Sequence, residues 1–125
     1  MIHLDTHVAA WLYAGRSDLF PPRVKDHLES EELVVSPMVQ LELQYLYDVG
    51  KATEPAQKVM ATLQRVLEVR VSTLSFESVA AAALSFDFTR DPFDRLITAQ
   101  ADVARATLIT KDRKIREFYG RAVWE

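Results

Sequence analysis

The 125-residue chain contains no cysteine, only three glycines and five prolines. The absence of cysteine excludes disulfide bonds and thiolate metal sites, and it fits a reducing compartment. No apolar run approaches the roughly 20 residues of a transmembrane helix. Asp5 lies where a signal peptide would have its basic region and apolar stretch. The sequence therefore predicts a cytoplasmic protein without a membrane segment.

Glycine and proline are scattered along the chain, and no repeat, linker or low-complexity segment is visible. With 49% hydrophobic residues, a chain of this length can bury one compact core. We therefore expect a single domain over residues 1–125.

The charge balance is slightly acidic, with a formal net charge of −3 and an isoelectric point near 5.6. This balance argues against a protein that holds nucleic acid by bulk electrostatics. Lys111, Arg113 and Lys114 nevertheless cluster around Asp112. The cluster is either a solvated basic helix face or a surface that contacts phosphates.

Short apolar segments alternate with helical patterns, which predicts an α/β sandwich with a mostly parallel sheet. The predicted strands are residues 1–4, 33–35, 69–71 (an edge strand), 106–110 and 123–124. The predicted helices are residues 6–14, 21–30 (which begins with Pro21 and Pro22), 37–49, 52–69, 76–86, 92–104 and 113–119. In the fourth helix, Val59, Leu63 and Val66 have the spacing of a buried face.

The segment from Asp91 to Arg113 carries two acids at predicted element junctions. Asp91 followed by Pro92 is typical of an N-cap and a first helical position, which places Asp94 in the first turn. Asp112 directly follows a buried strand and precedes a helix. In parallel α/β sheets, ligands bind beyond the carboxyl ends of the strands, so Asp94 and Asp112 are expected to face one crevice.

Asp5 lies at a similar strand-to-helix junction near the start of the chain. It is either a simple N-cap or a third acid at the same edge. Thr6 is a second polar group at this place. For His7, a structural or exposed role is favoured over contact with a substrate or metal.

Glu42 lies on the third predicted helix, which starts after Ser36-Pro37. The predicted apolar stripe of this helix is Met38, Leu41, Tyr45 and Val49. A carboxylate within such a stripe is costly unless it is paired or bound to a cation. Alternatively, Glu42 lies at the edge of the stripe and reaches solvent.

Four acids thus share one predicted location: Asp5, Glu42, Asp94 and Asp112. Converging carboxylates repel one another unless they are protonated or neutralised by cations. Oxygen ligands of this kind suit Mg²⁺ or Mn²⁺ and not zinc. Such ions usually serve phosphoryl chemistry.

The same segments resemble a known family over essentially the whole chain. The sequence is similar to PIN-domain ribonucleases, specifically the VapC-type toxins of bacterial toxin–antitoxin pairs. Four motifs carry the resemblance: LDTHVAAWL at 4–12, SPMVQLELQYL at 36–46, RDPFDRLITAQA at 90–101 and LITKD at 108–112. The spacing between these motifs also matches the family.

The resemblance implies a PIN-like three-layer α/β/α sandwich with a mostly parallel central sheet of four to five strands. It makes Asp5, Glu42 and Asp94 an acidic triad and Asp112 the fourth acid. Thr6 and Thr110 match hydroxyl positions that support the site. Asp91 is interpreted as a cap and not as a ligand.

The implied activity is Mg²⁺-dependent hydrolysis of RNA phosphodiester bonds, with Mn²⁺ as the alternative ion. One or two ions would be held by the four acids and would activate water, leaving a 5′-phosphate and a 3′-hydroxyl. Lys111, Arg113 and Lys114 would steer the RNA backbone. The implied partners are a VapB-type antitoxin and a second copy in a homodimer.

Two alternatives remain open. A non-toxin PIN-like nuclease acting in RNA processing or on structured DNA would have the same acids. A catalytically silent protein-binding module would use the acids as caps and surface charges, and it would bind no divalent ion. A haloacid-dehalogenase-type phosphotransferase is disfavoured, since it requires a second aspartate two residues after the first and position 7 is histidine.

Overall fold

The computed structural model describes all residues from Met1 to Glu125, and in it strands and helices alternate. The five strands are β1 (Ile2–Leu4), β2 (Leu33–Val35), β3 (Arg70–Val71), β4 (Thr107–Ile109) and β5 (Ala122–Val123). The seven α-helices are α1 (Thr6–Tyr13), α2 (Pro22–Ser30), α3 (Pro37–Asp48), α4 (Ala56–Leu67), α5 (Phe76–Ala83), α6 (Pro92–Val103) and α7 (Arg113–Phe118). A short 3₁₀ turn, Ser17–Leu19, connects α1 to α2.

The strands form one sheet in the order β3-β2-β1-β4-β5, and every neighbouring pair is parallel. From β1 the chain first moves outward through β2 to β3, and then returns to the other side for β4 and β5. Right-handed crossovers therefore place α1 to α4 on one face and α5 to α7 on the other. Contacts among α1, α3 and α4, and between α5 and α6, agree with this assignment, and α3 also contacts α6 of the other layer. The predicted α/β/α sandwich is confirmed, and its sheet is parallel throughout.

Proline and glycine mark the limits of several helices, as local backbone rules require. Pro22, Pro37 and Pro92 occupy first helical positions, where the missing N–H costs nothing. Gly15 and Gly50 follow α1 and α3 with φ of +70° and +79°, values that glycine adopts without a steric penalty.

The core lies on both faces of the three central strands. Every residue of β1 and β2 is buried, which explains why these strands are apolar almost without interruption. A main cluster includes Ile2, Leu4 and Leu108, and a smaller one joins α5 to α6 through Val79 and Ala99.

The predicted apolar stripe of α3 was wrong. The buried residues of this helix are Val39 and Leu43, whereas Leu41, Tyr45 and Val49 are each about half exposed. The helix carries apolar residues on several faces, so two different sets of them have the spacing of a buried stripe. Only the packing of α1 and α4 against it selects one.

The fourth helix also differs from its prediction. It starts at Ala56 and not at residue 52, because Pro55 is extended and a proline disfavours helical geometry in the residue before it. Val59 and Leu63 are buried as predicted, but Val66 is 58% exposed. No helix of the structure has the length and apolarity that crossing a membrane requires.

Candidate active site

Asp5 is placed by β1 and α1 at the carboxyl edge of the sheet. Its Oδ1 accepts the backbone N–H of His7 at 2.9 Å and thereby caps α1. Its Oδ2 accepts the hydroxyl of Thr110. Asp5 is only 8% exposed, and both interactions fix the orientation of its carboxylate.

Thr110 and Asp112 follow β4, the strand next to β1. The Thr110 hydroxyl donates to Asp5 and accepts the backbone N–H of Asp112 at 3.1 Å. Asp112 in turn caps α7, since its Oδ1 accepts the N–H of Ile115 at 2.9 Å. Strand order reverses between β1 and β4, which is where ligands bind in open α/β sheets.

Asp5 and Asp112 can each cap a helix and also belong to the candidate site. Each cap uses one carboxylate oxygen, Oδ1, and the caps hold both side chains at the same edge. Asp91 is a cap as predicted, because its Oδ1 accepts the N–H groups of Phe93 at 2.8 Å and Asp94 at 3.3 Å.

Asp94 lies in the first turn of α6 and interacts electrostatically with the other acids. Partial burial raises the pKa of its carboxyl to about 7, and the charges of Asp91, Asp112, Asp5 and Glu42 contribute to the shift. The structure therefore brings Asp94 within electrostatic range of all three other predicted acids.

Glu42 projects from α3, which contacts α6. Burial raises the pKa of Glu42, and the Asp5 and Asp91 charges act in the same direction. The Thr6 hydroxyl opposes this rise. That hydroxyl is completely buried, and it makes no hydrogen bond in the structure.

His7 lies beside Asp5, and its side chain is exposed as the favoured prediction had it. Its side chain is 60% exposed, and its Nδ1 lies 3.8 Å from Asp5 Oδ1. The interaction with Asp5 raises the pKa of the imidazole, and the charges of Glu42 and Asp94 raise it further. Its position in the first turn of α1, two residues after Asp5, is the signal that could have identified it.

The donor set fits a hydrated magnesium ion. No group of three or more His, Asp or Glu side chains lies close enough together in the structure to hold a metal ion. Mg²⁺, however, usually keeps several waters and is held by one or two carboxylates together with substrate phosphates. Mutually repelling carboxylates and the unsatisfied Thr6 hydroxyl are what such an ion and its waters would relieve.

Five pockets of the molecule are lined by residues other than the four acids, among them a 520 Å³ pocket beside Leu12, Phe20 and Leu28. The four acids lie at the carboxyl edge of the sheet, apart from these pockets.

The predicted basic cluster flanks Asp112 at the start of α7. Lys111, Arg113 and Lys114 are all exposed. The Arg113 side chain is 86% exposed, and its only ion pair is a long contact of 3.9 Å to Glu117. These cations are therefore available to a ligand at the same edge.

Nothing in the sequence predicted a buried series of hydrogen bonds that joins Ser36, Gln100 and Ser72. Ser36 donates its hydroxyl to Gln100 Oε1 at 3.1 Å, and Gln100 Nε2 donates to Ser72 Oγ at 2.7 Å. Ser36 also caps α3 through the N–H of Met38 at 3.1 Å. This series thus connects the helix of Glu42 to α6, the helix of Asp94.

Comparison with known proteins agrees with this architecture. The family model of the PIN domain matches residues 2–121. Ribonuclease VapC22 of Mycobacterium tuberculosis is 35% identical over 116 residues, covering 90% of this chain and 88% of the relative.

Two solved structures share the fold at low sequence identity. One is VapBC2 from Rickettsia felis bound to a DNA fragment from its promoter, with a TM-score of 0.69, 19% identity, and coverage of 100% of this chain and 98% of that chain. The other is a toxin–antitoxin complex from Klebsiella pneumoniae, with a TM-score of 0.68, 18% identity, and coverage of 98% and 96%.

Proposed function

The chain belongs to the PIN-domain family, and from this premise we propose that it is a divalent-metal-dependent endoribonuclease, a VapC-type toxin that hydrolyses RNA phosphodiester bonds. The observation that carries the proposal is the gathering of acids at the carboxyl edge, where burial and the charges of the surrounding carboxylates raise the pKa of Asp94 to about 7. Such repulsion is costly in a site without a cation.

Asp5, Glu42, Asp94 and Asp112 would hold the ion, Mg²⁺ or alternatively Mn²⁺. When bound, the ion would supply Lewis-acid polarisation of the phosphate and would lower the pKa of water. Thr110 orients Asp5, and the capping bonds fix Asp5 and Asp112. Thr6, whose hydroxyl opposes the raised pKa of Glu42, would support the site.

Lys111, Arg113 and Lys114 would contact the RNA backbone beside Asp112. They are exposed at the edge that carries the acids, and such cations bind phosphates by releasing counterions. Because the chain as a whole is acidic, this local cluster would carry most of the phosphate attraction.

A VapB-type antitoxin would neutralise the toxin. Support comes from the relative named as a VapC ribonuclease and from the two fold neighbours, which are toxin–antitoxin complexes. A homodimer is proposed as well, as the resemblance to VapC-type toxins implies. The place of action would be the cytoplasm, where RNA and antitoxin meet.

The test is induced expression in a bacterial host, with the wild type beside Asp5→Asn. Asparagine is also a good N-cap, so the variant keeps the start of α1 while it loses the charge. We expect the wild type to arrest growth and to produce discrete new RNA 5′ ends, and the folded variant to do neither.

Other outcomes separate the alternatives. Mg²⁺-dependent RNA cleavage by the purified protein without growth arrest would indicate a non-toxin nuclease. If the wild type and Asp5→Asn both fold and neither cleaves RNA, the acids do not perform chemistry and the protein is a binding module.

A further inference from the structure

Two aromatic rings adjoin the acidic site without belonging to the core. Tyr45 of α3 is 50% exposed, and its ring centroid lies 6.0 Å from that of Phe93 on α6, with the planes inclined by 38°. Phe93 is partly buried and packs against the main core cluster. Tyr45 is thus an exposed ring supported by an anchored one.

The position of this pair relates it to the acids. Tyr45 lies three residues after Glu42, on the same side of α3. Phe93 directly precedes Asp94 in the first turn of α6. The pair therefore spans the two helices that carry Glu42 and Asp94, and a substrate phosphate at these acids would place its neighbouring nucleotides close to both rings.

Few cations lie on this flank of the site. Helix α3 has no lysine or arginine, and its charged residues are Glu42 and Asp48. Arg95 of α6 is committed to the carbonyl oxygens of Ala83 and Leu84, at 2.9 to 3.2 Å. The exposed Arg90, which precedes the Asp91 cap, is the exception. Interactions that do not depend on phosphate charge would therefore contribute much of the binding on this side.

We propose that Tyr45 and Phe93 form a stacking platform for an unpaired nucleobase next to the scissile phosphate. The inference rests on the proposed ribonuclease function and deepens it, because it assigns a subsite for one base of the substrate strand. Proteins that bind single strands stack bases on aromatic side chains, whereas the bases of a duplex are stacked on one another and are not available.

The platform complements the basic cluster at Asp112. Lys111, Arg113 and Lys114 would contact phosphates on one flank, and the aromatic pair would hold a base on the other. This division explains how an acidic protein with a net charge of −3 can bind RNA at an edge lined with carboxylates.

The test compares two tyrosines of one helix. Tyr45→Leu and Tyr47→Leu make the same chemical change at positions that are 50% and 41% exposed, and Tyr47 is separate from the aromatic pair. Each change is made in the Asp5→Asn background, so that RNA is bound but not cut. The probe is a fluorescein-labelled, unstructured single-stranded RNA oligonucleotide, with a set of versions that carry one abasic nucleotide each.

We expect Tyr45→Leu to weaken binding about 5-fold or more, which is the loss that removing one base–aromatic stack predicts. Tyr47→Leu should bind as the parent does, and Tyr45→Phe should retain affinity because it keeps the ring. At one abasic position, the parent and Tyr45→Leu should bind alike, since the stacking base is missing. The duplex of the same sequence should bind equally to both.

Equal affinity of the parent and Tyr45→Leu for every oligonucleotide would overturn the platform while leaving the ribonuclease proposal intact. A change in oligomeric state or antitoxin affinity on Tyr45→Leu, without a change in RNA affinity, would make the pair a protein interface and would also overturn it. If the wild type neither binds nor cleaves RNA, both proposals fail together.

Discussion

The hydroxyl of Thr110 donates a hydrogen bond to Asp5 Oδ2 across 105 positions of sequence. Both residues are buried, and each directly follows a strand of the central pair, β4 and β1. The same hydroxyl accepts the N–H of Asp112. One side chain thus fixes the relative positions of two of the proposed cation ligands.

Replacing Thr110 with valine tests this arrangement, because valine keeps the shape and removes the hydroxyl. We expect Thr110→Val to lower the free energy of unfolding by about 1–3 kcal/mol, since buried hydrogen-bonding groups lose their partner. RNA cleavage should fall as well, because Asp5 is no longer oriented. Thr110→Ser keeps the hydroxyl and is the control, measured by thermal unfolding and cleavage rate. Full activity of the valine variant would show that the bond does not position Asp5.

Asp112 can be tested for charge and for capping separately. Asp112→Asn keeps an N-cap side chain, and Asp112→Ala removes it at a cost of about 1 kcal/mol. We expect the asparagine variant to retain stability and to lose cleavage. Asp91→Asn is the matched control, because Asp91 also caps a helix but is assigned only that role. Equal activity of the two asparagine variants would remove Asp112 from the site.

The raised pKa of Asp94 predicts how the stability of the protein depends on pH. Its folded-state pKa is about 7, against an ordinary value of 3.8, because of burial and the charges of Asp91, Asp112, Asp5 and Glu42. Between about pH 4 and 7 the folded state therefore binds more protons than the unfolded state. The contribution of Asp94 to the free energy of unfolding should decrease through this window as pH rises and should level off above it.

The comparison is between the wild type and Asp94→Asn, by chemical denaturation at several pH values without divalent ions. The stability of the variant relative to the wild type should increase from about pH 4 to 7, since asparagine does not titrate. Added Mg²⁺ should stabilise the wild type at pH 8 more than it stabilises the variant. A pH-independent difference between the two proteins would contradict the raised pKa.

The basic cluster predicts the salt dependence of RNA affinity. Replacing Lys111, Arg113 and Lys114 with glutamine should reduce the slope of log affinity against log salt by up to about 2, given roughly 0.7 per phosphate contact for single strands. The control is a glutamine triple variant of exposed arginines at the opposite, amino-terminal edge of the sheet: Arg70, Arg105 and Arg121. Identical slopes for the two triple variants would mean that Lys111, Arg113 and Lys114 form a solvated helix face and do not contact RNA phosphates.

The buried hydrogen bonds of Gln100 predict that its replacement lowers stability, whereas the same replacement of an exposed glutamine does not. Gln100→Met keeps similar volume but leaves the hydroxyls of Ser36 and Ser72 without this partner. We expect a loss of about 1–3 kcal/mol in the free energy of unfolding. Gln64→Met, on the exposed side of α4, makes the same change in solvent and should be nearly neutral. Comparable losses in both variants would mean that the hydrogen bonds of Gln100 with Ser36 and Ser72 do not stabilise the fold.

The elements that were predicted well have local causes. Asp91-Pro92 and Ser36-Pro37 start helices because capping and proline geometry depend on adjacent residues only. The errors occurred where local patterns were ambiguous, as in α3, whose apolar residues allow two buried faces, and in α4, whose extended Pro55 delays the helix.

The sequence by itself determined the alternation of strands and helices and the placement of Asp5, Asp94 and Asp112 at element junctions. Since the carboxyl ends of parallel strands share one edge, those junctions were enough to predict a common site. Only the tertiary structure decided which face of α3 is buried, how Thr110 holds Asp5, and that the pKa of Asp94 is raised to about 7. These properties depend on residues far apart in the chain, because burial, hydrogen bonding and charge repulsion are set by neighbours in space.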